Sequence, residues 1–176
     1  VDLLGETGVA GVSIEAYHPG SGLFPREVAG QRGAASAEPP ARHAVVLTAR
    51  AENHLYGVDD RADTIARLGA FRAAGANVVY APGLVDLDDI SRLVGAVDAP
   101  VNVLLLRHGP AVPDLAAVGV RRVSTGGSLA FAAYGALAAA ARELLTSGTS
   151  TYPAGALAPA DRTAAFTESI AIAKPM

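Results

Sequence analysis

Residues 72–82 read RAAGANVVYAP. Alanines running into Gly75 make a helix ending, since glycine takes the left-handed conformation that closes a helix. Val78, Val79 and Tyr80 then form a short apolar run stopped by Pro82 and Gly83. Such a run, bounded by turn residues and without polar alternation, reads as a parallel strand covered on both faces. Working outward, the same unit recurs. Upstream lie GVSIE at Gly11–Glu15 and AVVLTAR at 44–50; downstream come PVNVLLL at 100–106 and RRVST at 121–125.

Helical patterns separate these runs. Residues 59–74 carry Ile65, Leu68 and Phe71, with Asp59, Asp60 and Asp63 in the first turn, where the helix dipole favours acids. Residues 88–97 place Ile90, Leu93, Val94 and Val97 on one face. A short turn at 113–118 stops at Gly119. The longest pattern, Ser128–Ser147, puts Leu129, Leu137 and Leu144 on one side, with Ser128 as expected N-cap and Gly148 as stop.

Strand–helix alternation over five strands predicts an α/β fold with a parallel sheet. A doubly wound sheet and part of a (β/α)8 barrel both satisfy it. No G-x-G-x-x-G follows the first strand, which disfavours a dinucleotide site. In either fold chemistry sits at the carboxyl ends of the strands. The polar residues there are Glu15, Arg50, Ser124 and Thr125, with Asn102 within the fourth strand.

The chain has 176 residues, 51% apolar, with a formal net charge of −3 and a single lysine. That excludes a basic nucleic-acid or anionic-membrane footprint. Having no cysteine excludes disulfides, thiolate metal sites and thiol nucleophiles. Gly, Pro and charged residues interrupt the apolar stretches short of a membrane span, and the first ten residues carry Asp2 and Glu6 without a positive region. The expectation is a cytoplasmic protein with no membrane and no nucleic-acid partner. Residues 1–148 hold the strand–helix alternation, broken by a Gly/Pro-rich loop at 17–42 without sustained period. Residues 149–176 read as a tail with a short helix near 159–166. His18, His43, His54 and His108 show no metal-ligand spacing.

Taken in order, GVSIE at 11–15, TARAE at 48–52, GANVVYAP at 75–82, APVNVLLL at 99–106 and LAAVGVRRVSTGG at 115–127 resemble the phosphoenolpyruvate mutase/isocitrate lyase superfamily. The resemblance implies a (β/α)8 TIM-barrel type fold, here N-terminally truncated to strands four to eight. It also implies an enzyme that binds a small 2-oxo or 2-hydroxy acid, or a phosphonate relative, and breaks or forms a C–C or P–C bond. Mg2+ is the implied cofactor. Glu15 matches the metal-shell glutamate, and Arg50 matches the arginine holding the substrate carboxylate. Glu52, just beyond, is a second catalytic candidate. Asn102 and the turn Ser124, Thr125 and Gly126 are substrate-binding candidates; that turn's backbone N–H groups suit an anion.

Each position also has a structural reading. Glu15 could face solvent, Arg50 could pair with Glu15 or Glu52, Asn102 could serve a buried network, and Ser128 could simply cap its helix. The sequence departs from the family pattern at Ala16, where the family carries Asp, in the loop after Glu15, and near Phe131. The family's Asp-x-Asp metal strand has no counterpart. The resulting expectation is a Mg2+-dependent lyase or phosphonomutase-like fragment with little activity alone, in a homo-oligomer. The alternatives are a non-catalytic family member acting as a binding or assembly module, and an open sheet binding a phosphate ligand.

Overall fold

The computed structural model describes residues 6–37 and 45–167. Strand β1 (Gly11–Glu15) leads into a two-stranded hairpin of β2 (Tyr17–His18) and β3 (Gly22–Leu23), then helix α1 (Arg26–Ala37). There follow β4 (Val46–Arg50), a 3-10 turn (His54–Tyr56), α2 (Arg61–Ala73), β5 (Val78–Tyr80), α3 (Leu87–Ala96), β6 (Val101–Leu104), α4 (Val112–Ala117) and β7 (Arg122–Ser124). Beyond these lie α5 (Ser128–Ser147), a second 3-10 turn (Tyr152–Gly155) and α6 (Pro159–Thr167).

The main sheet is parallel, in the order β1-β4-β5-β6-β7, so each strand lies beside its predecessor in that series. A doubly wound sheet reverses direction at a switch point; this one does not, and it curls into a half-barrel of the (β/α)8 type. The barrel alternative is therefore the correct one. The chain forms two compact units, Val1–Gly126 and Gly127–Met176.

In the first unit the core lies between the outer sheet face and the helices. Ala49, Val79, Val101 and Val103 meet Leu68 and Phe71 of α2, Ile90 and Leu93 of α3, and Leu115 of α4. Burying each such Leu, Ile or Phe contributes about 1.5–3 kcal/mol. Burial on both faces holds for the central strands, whereas alternate residues of β1 are exposed and β7 has no fully buried residue. The concave face of the flanking strands is polar, and a cleft of about 470 Å3 there is lined by Gly11, Ser13, Thr48 and Arg122 among others.

Local signals placed the helix ends closely. The Asp60 carboxylate accepts the Asp63 N–H at 2.9 Å, and Asp86 accepts that of Asp89 at 3.0 Å, each capping its helix. Ser128 is different: Gly127 is the N-cap and its carbonyl accepts Phe131 N–H, so Ser128 is the first helical residue. Within 17–42, where the sequence shows no period, the hairpin and α1 form. Residues 38–44, His43 among them, lie outside the described residues. Long-range contacts order the segment: Arg67 Nη1 donates to Phe24 O at 2.6 Å, and Phe24 N–H donates to Ala16 O at 3.0 Å.

Arg67 is buried and also donates to Asp63, which accepts Asn53 Nδ2 at 2.9 Å. Burial pushes the Asp63 carboxyl up, but the bonds from Arg67 and Asn53 outweigh it and hold it below its ordinary value. A carboxyl depressed on folding stabilises above its unfolded pKa and loses that contribution as pH falls through the folded one. Asp63→Asn is therefore expected to cost about 1–3 kcal/mol at neutral pH. The gap to the parent should close in strong acid, as chemical denaturation across pH would read.

In the second unit, Glu143 accepts Thr149 Oγ1 at 2.8 Å, Thr151 N–H at 2.6 Å and Thr151 Oγ1 at 3.0 Å. Those bonds fix the turn after α5 and hold the Glu143 carboxyl below its usual range. By length and composition alone α5 reaches what a membrane span needs, contrary to the sequence expectation. Gly135 and the Arg142-Glu143 pair interrupt its apolar residues but do not end the helix.

Candidate functional site

Strand register assembles the site. Glu15 pairs with Arg50, Arg50 with Tyr80, Tyr80 with Asn102, and Asn102 with Arg122. Laterally paired residues of a parallel sheet project to the same side, so these five form one row on the concave face, at the carboxyl ends of β1, β4 and β5, within β6 and at the start of β7.

Arg50 sits at the centre of the row's first half. Its Nη1 donates to Glu15 Oε1 at 2.8 Å and its Nη2 to Glu52 Oε2 at 3.1 Å. Its Nε lies 2.7 Å from Glu52 Oε1, an ion-pair contact without hydrogen-bond alignment. The guanidinium also lies over the Tyr80 ring, 5.5 Å from its centroid. Glu52 is fully buried, whereas the Glu15 side chain is 51% exposed. An arginine has five N–H donors. The three contacts leave one N–H on each terminal nitrogen for a further acceptor.

Glu52 is the most strongly confined charge. Burial pushes its carboxyl above the ordinary value and the repulsion of Glu15 adds to this, while the Arg50 ion pair and hydrogen bond pull the other way without cancelling it. A carboxyl raised on folding contributes stability below its unfolded pKa and loses it as pH rises through the folded value. Glu52→Gln should consequently gain stability relative to the parent as pH rises from about 4 through that range. Denaturant midpoints at a series of pH values would check the slope; a flat difference would contradict it.

The second half of the row is an amide network. Asn102, buried, donates to Ser124 Oγ at 3.1 Å and accepts Arg122 Nη1 at 2.7 Å. Ser124 also neighbours the Tyr80 phenol; burial raises that phenol's pKa, and Arg50 and Ser124 partly offset this. Thr125 and Gly126 lie in the turn after β7, and Gly126 takes φ +54° beside Leu104.

Register thus brings Glu15, Arg50 and Asn102 into one row, side-chain contacts join Glu52 to it through Arg50 and Ser124 through Asn102, and Thr125 and Gly126 lie beyond it. Sequence reasoning missed Tyr80 and Arg122. Both were visible as the polar or amphipathic residue ending VVY and the alternate residue of RRVS, but Tyr80 was counted with the apolar run. His18, which accepts Gly20 N–H, and His54, against Asp59 and Thr64, serve local structure.

No three His, Cys, Asp or Glu side chains converge among the described residues. Mg2+ sites, however, often use one or two protein carboxylates, with water and bound acid oxygens filling the rest. Glu15 suits that: it is half-exposed with one contact to Arg50, while Glu52 is enclosed against Arg50. Two carboxylates around one guanidinium also leave an excess negative charge, which a divalent cation would offset.

Fold and row define an α/β protein of barrel type with an arginine–carboxylate cluster at the carboxyl ends of its strands. The phosphoenolpyruvate phosphomutase family model matches residues 1–145, and the chain belongs to that family. Among solved structures, a proposed lyase/mutase from Burkholderia cenocepacia J2315 is 42% identical, with a TM-score of 0.86 over 94% of this chain and 62% of its own. A proposed phosphonomutase from the same organism is 28% identical, with a TM-score of 0.75 over 81% of this chain and 60% of its own. Phosphonopyruvate hydrolase, solved with oxalate and Mg2+, is 20% identical, with a TM-score of 0.76 over 92% of this chain and 60% of its own, and shares the fold. The chain therefore spans about 60% of the length of these relatives. No curated protein matches it.

Proposed function

We propose that this chain supplies the acid-binding half of a Mg2+-dependent lyase or phosphonomutase-like enzyme acting on a small 2-oxo or 2-hydroxy acid. The observation that carries the reading is Arg50, aligned by its two carboxylates with two terminal donors to spare. Relatives called lyase/mutase and phosphonomutase support it. Arg50 binds the acid's carboxylate, and Glu52 fixes the guanidinium plane. Asn102 and Ser124 orient the acid's other oxygens, and the Thr125 and Gly126 turn offers backbone donors. Glu15 holds the metal, which when bound supplies Lewis-acid stabilisation of developing negative charge.

The 176-residue chain alone is expected to turn over little substrate, because Glu15 is the one carboxylate of the Arg50 cluster, among the described residues, that is open to a metal. We further place the enzyme in the cytoplasm as a homo-oligomer. The exposure of Leu129, Phe131, Tyr134 and Leu137 on α5 supports a second copy as the partner.

Calorimetric titration with oxalate, with and without Mg2+, tests the reading. Coupled binding is expected, oxalate binding at least about tenfold tighter with the metal, a difference of about 1.4 kcal/mol. Absence of binding under both conditions would favour a non-catalytic assembly module.

A further inference from the structure

Beside the Arg50 cluster stands an aromatic pair that the acid site itself does not use. Tyr17, in the hairpin two residues after Glu15, stacks on Tyr56, in the 3-10 turn four residues after Glu52. Their centroids are 3.6 Å apart and their planes 7° from parallel. Ring quadrupoles disfavour such full overlap, so the elements carrying the rings hold them together.

Those elements are anchored on both sides. The hairpin is fixed by Tyr17 pairing with Leu23, by Phe24 N–H on Ala16 O, and by Arg67 on Phe24 O. The turn is fixed by Tyr56 N–H on Glu52 O at 3.2 Å and by Val58 N–H on Asn53 O at 2.8 Å. Tyr17 follows Glu15 by two residues, and Tyr56 N–H bonds the carbonyl of Glu52 itself. The pair thus joins the segments that leave β1 and β4 directly after the two carboxylates held by Arg50.

We propose that the Tyr17–Tyr56 stack is the specificity wall of the acid site, limiting the ligand on Arg50 to small, unbranched acids. This deepens the acid-binding reading above and rests on it. A wall pinned from two separate elements does not retreat for a branched substituent, so extra methyl groups must displace a ring or go unaccommodated. The phenols keep the wall polar at its exposed edge, where Tyr56 is 45% exposed.

The experiment compares oxalate with dimethylmalonate by calorimetry in Mg2+ buffer, using the full-length protein, Tyr17→Ala, Tyr56→Ala and the conservative Tyr56→Phe. The parent and Tyr56→Phe should prefer oxalate by about tenfold or more, and the alanine variants should lose most of that preference through tighter dimethylmalonate binding. A merely structural role would weaken both acids together and leave the ratio unchanged. Because the chain has no tryptophan, near-ultraviolet circular dichroism reads the tyrosines directly; a variant that fails to fold is replaced by Tyr56→Leu, which keeps bulk but not the stack. If oxalate binds every variant with an unchanged ratio, the wall is overturned and the acid site stands. If the parent binds neither acid, both readings fall.

Discussion

Replacing Arg50 with methionine should abolish oxalate binding and lower the free energy of unfolding by about 3–5 kcal/mol. Two effects combine. The acid loses its guanidinium partner, and Glu52, fully buried, is left without the cation that compensates it. Glu15 loses only a half-exposed contact and adds little. The double variant Arg50→Met/Glu52→Leu separates the effects, because replacing a buried ion pair with apolar groups is often neutral or stabilising. It should recover parental stability, read by denaturant unfolding, while oxalate binding stays absent. Retained oxalate affinity in either variant would remove Arg50 from the acid site.

Gly83→Ala should be the most damaging small substitution on the loops around the row. Gly83 follows β5 with φ +91°, where a side chain is strained. A Cβ there would stand 2.9 Å from Leu55 N and 3.0 Å from His54 C, which are backbone atoms of the turn after Glu52 and cannot rotate away. Strain and overpacking together should cost about 2–4 kcal/mol. The shifted turn also carries Tyr56 and is continuous with Glu52, so oxalate affinity should fall along with the melting temperature. An alanine variant of parental stability would show that the turn yields, contrary to this packing.

The strands and helices were legible because their signals are local. Gly75 and Pro82 bracket β5, Asp60 and Asp86 cap the helices they precede, and β-branched runs lie between them. The hairpin and α1 were not legible. Their order depends on Arg67, which lies 43 residues beyond the Phe24 carbonyl it binds and carries no mark of that contact in the sequence. The candidate site was half legible. Strand-end position picked out Glu15, Arg50 and Ser124, and the amide inside an apolar strand picked out Asn102, but Tyr80 looked like one more apolar residue and nothing singled out Arg122.

The sequence by itself determined the alternation of strands and helices, the polar residues at strand ends and, through an ordered set of motifs, the family. The tertiary structure decided the rest. Whether five parallel strands form an open sheet or a half-barrel depends on which strands are neighbours, a non-local choice that no single window encodes. Register alone sets Glu15, Arg50, Tyr80, Asn102 and Arg122 in one row, because lateral pairing joins residues up to 35 positions apart. Which carboxylate is enclosed and which stays open to a metal is likewise a matter of burial. Glu15 and Glu52 are the same residue type, and only their surroundings make them different groups.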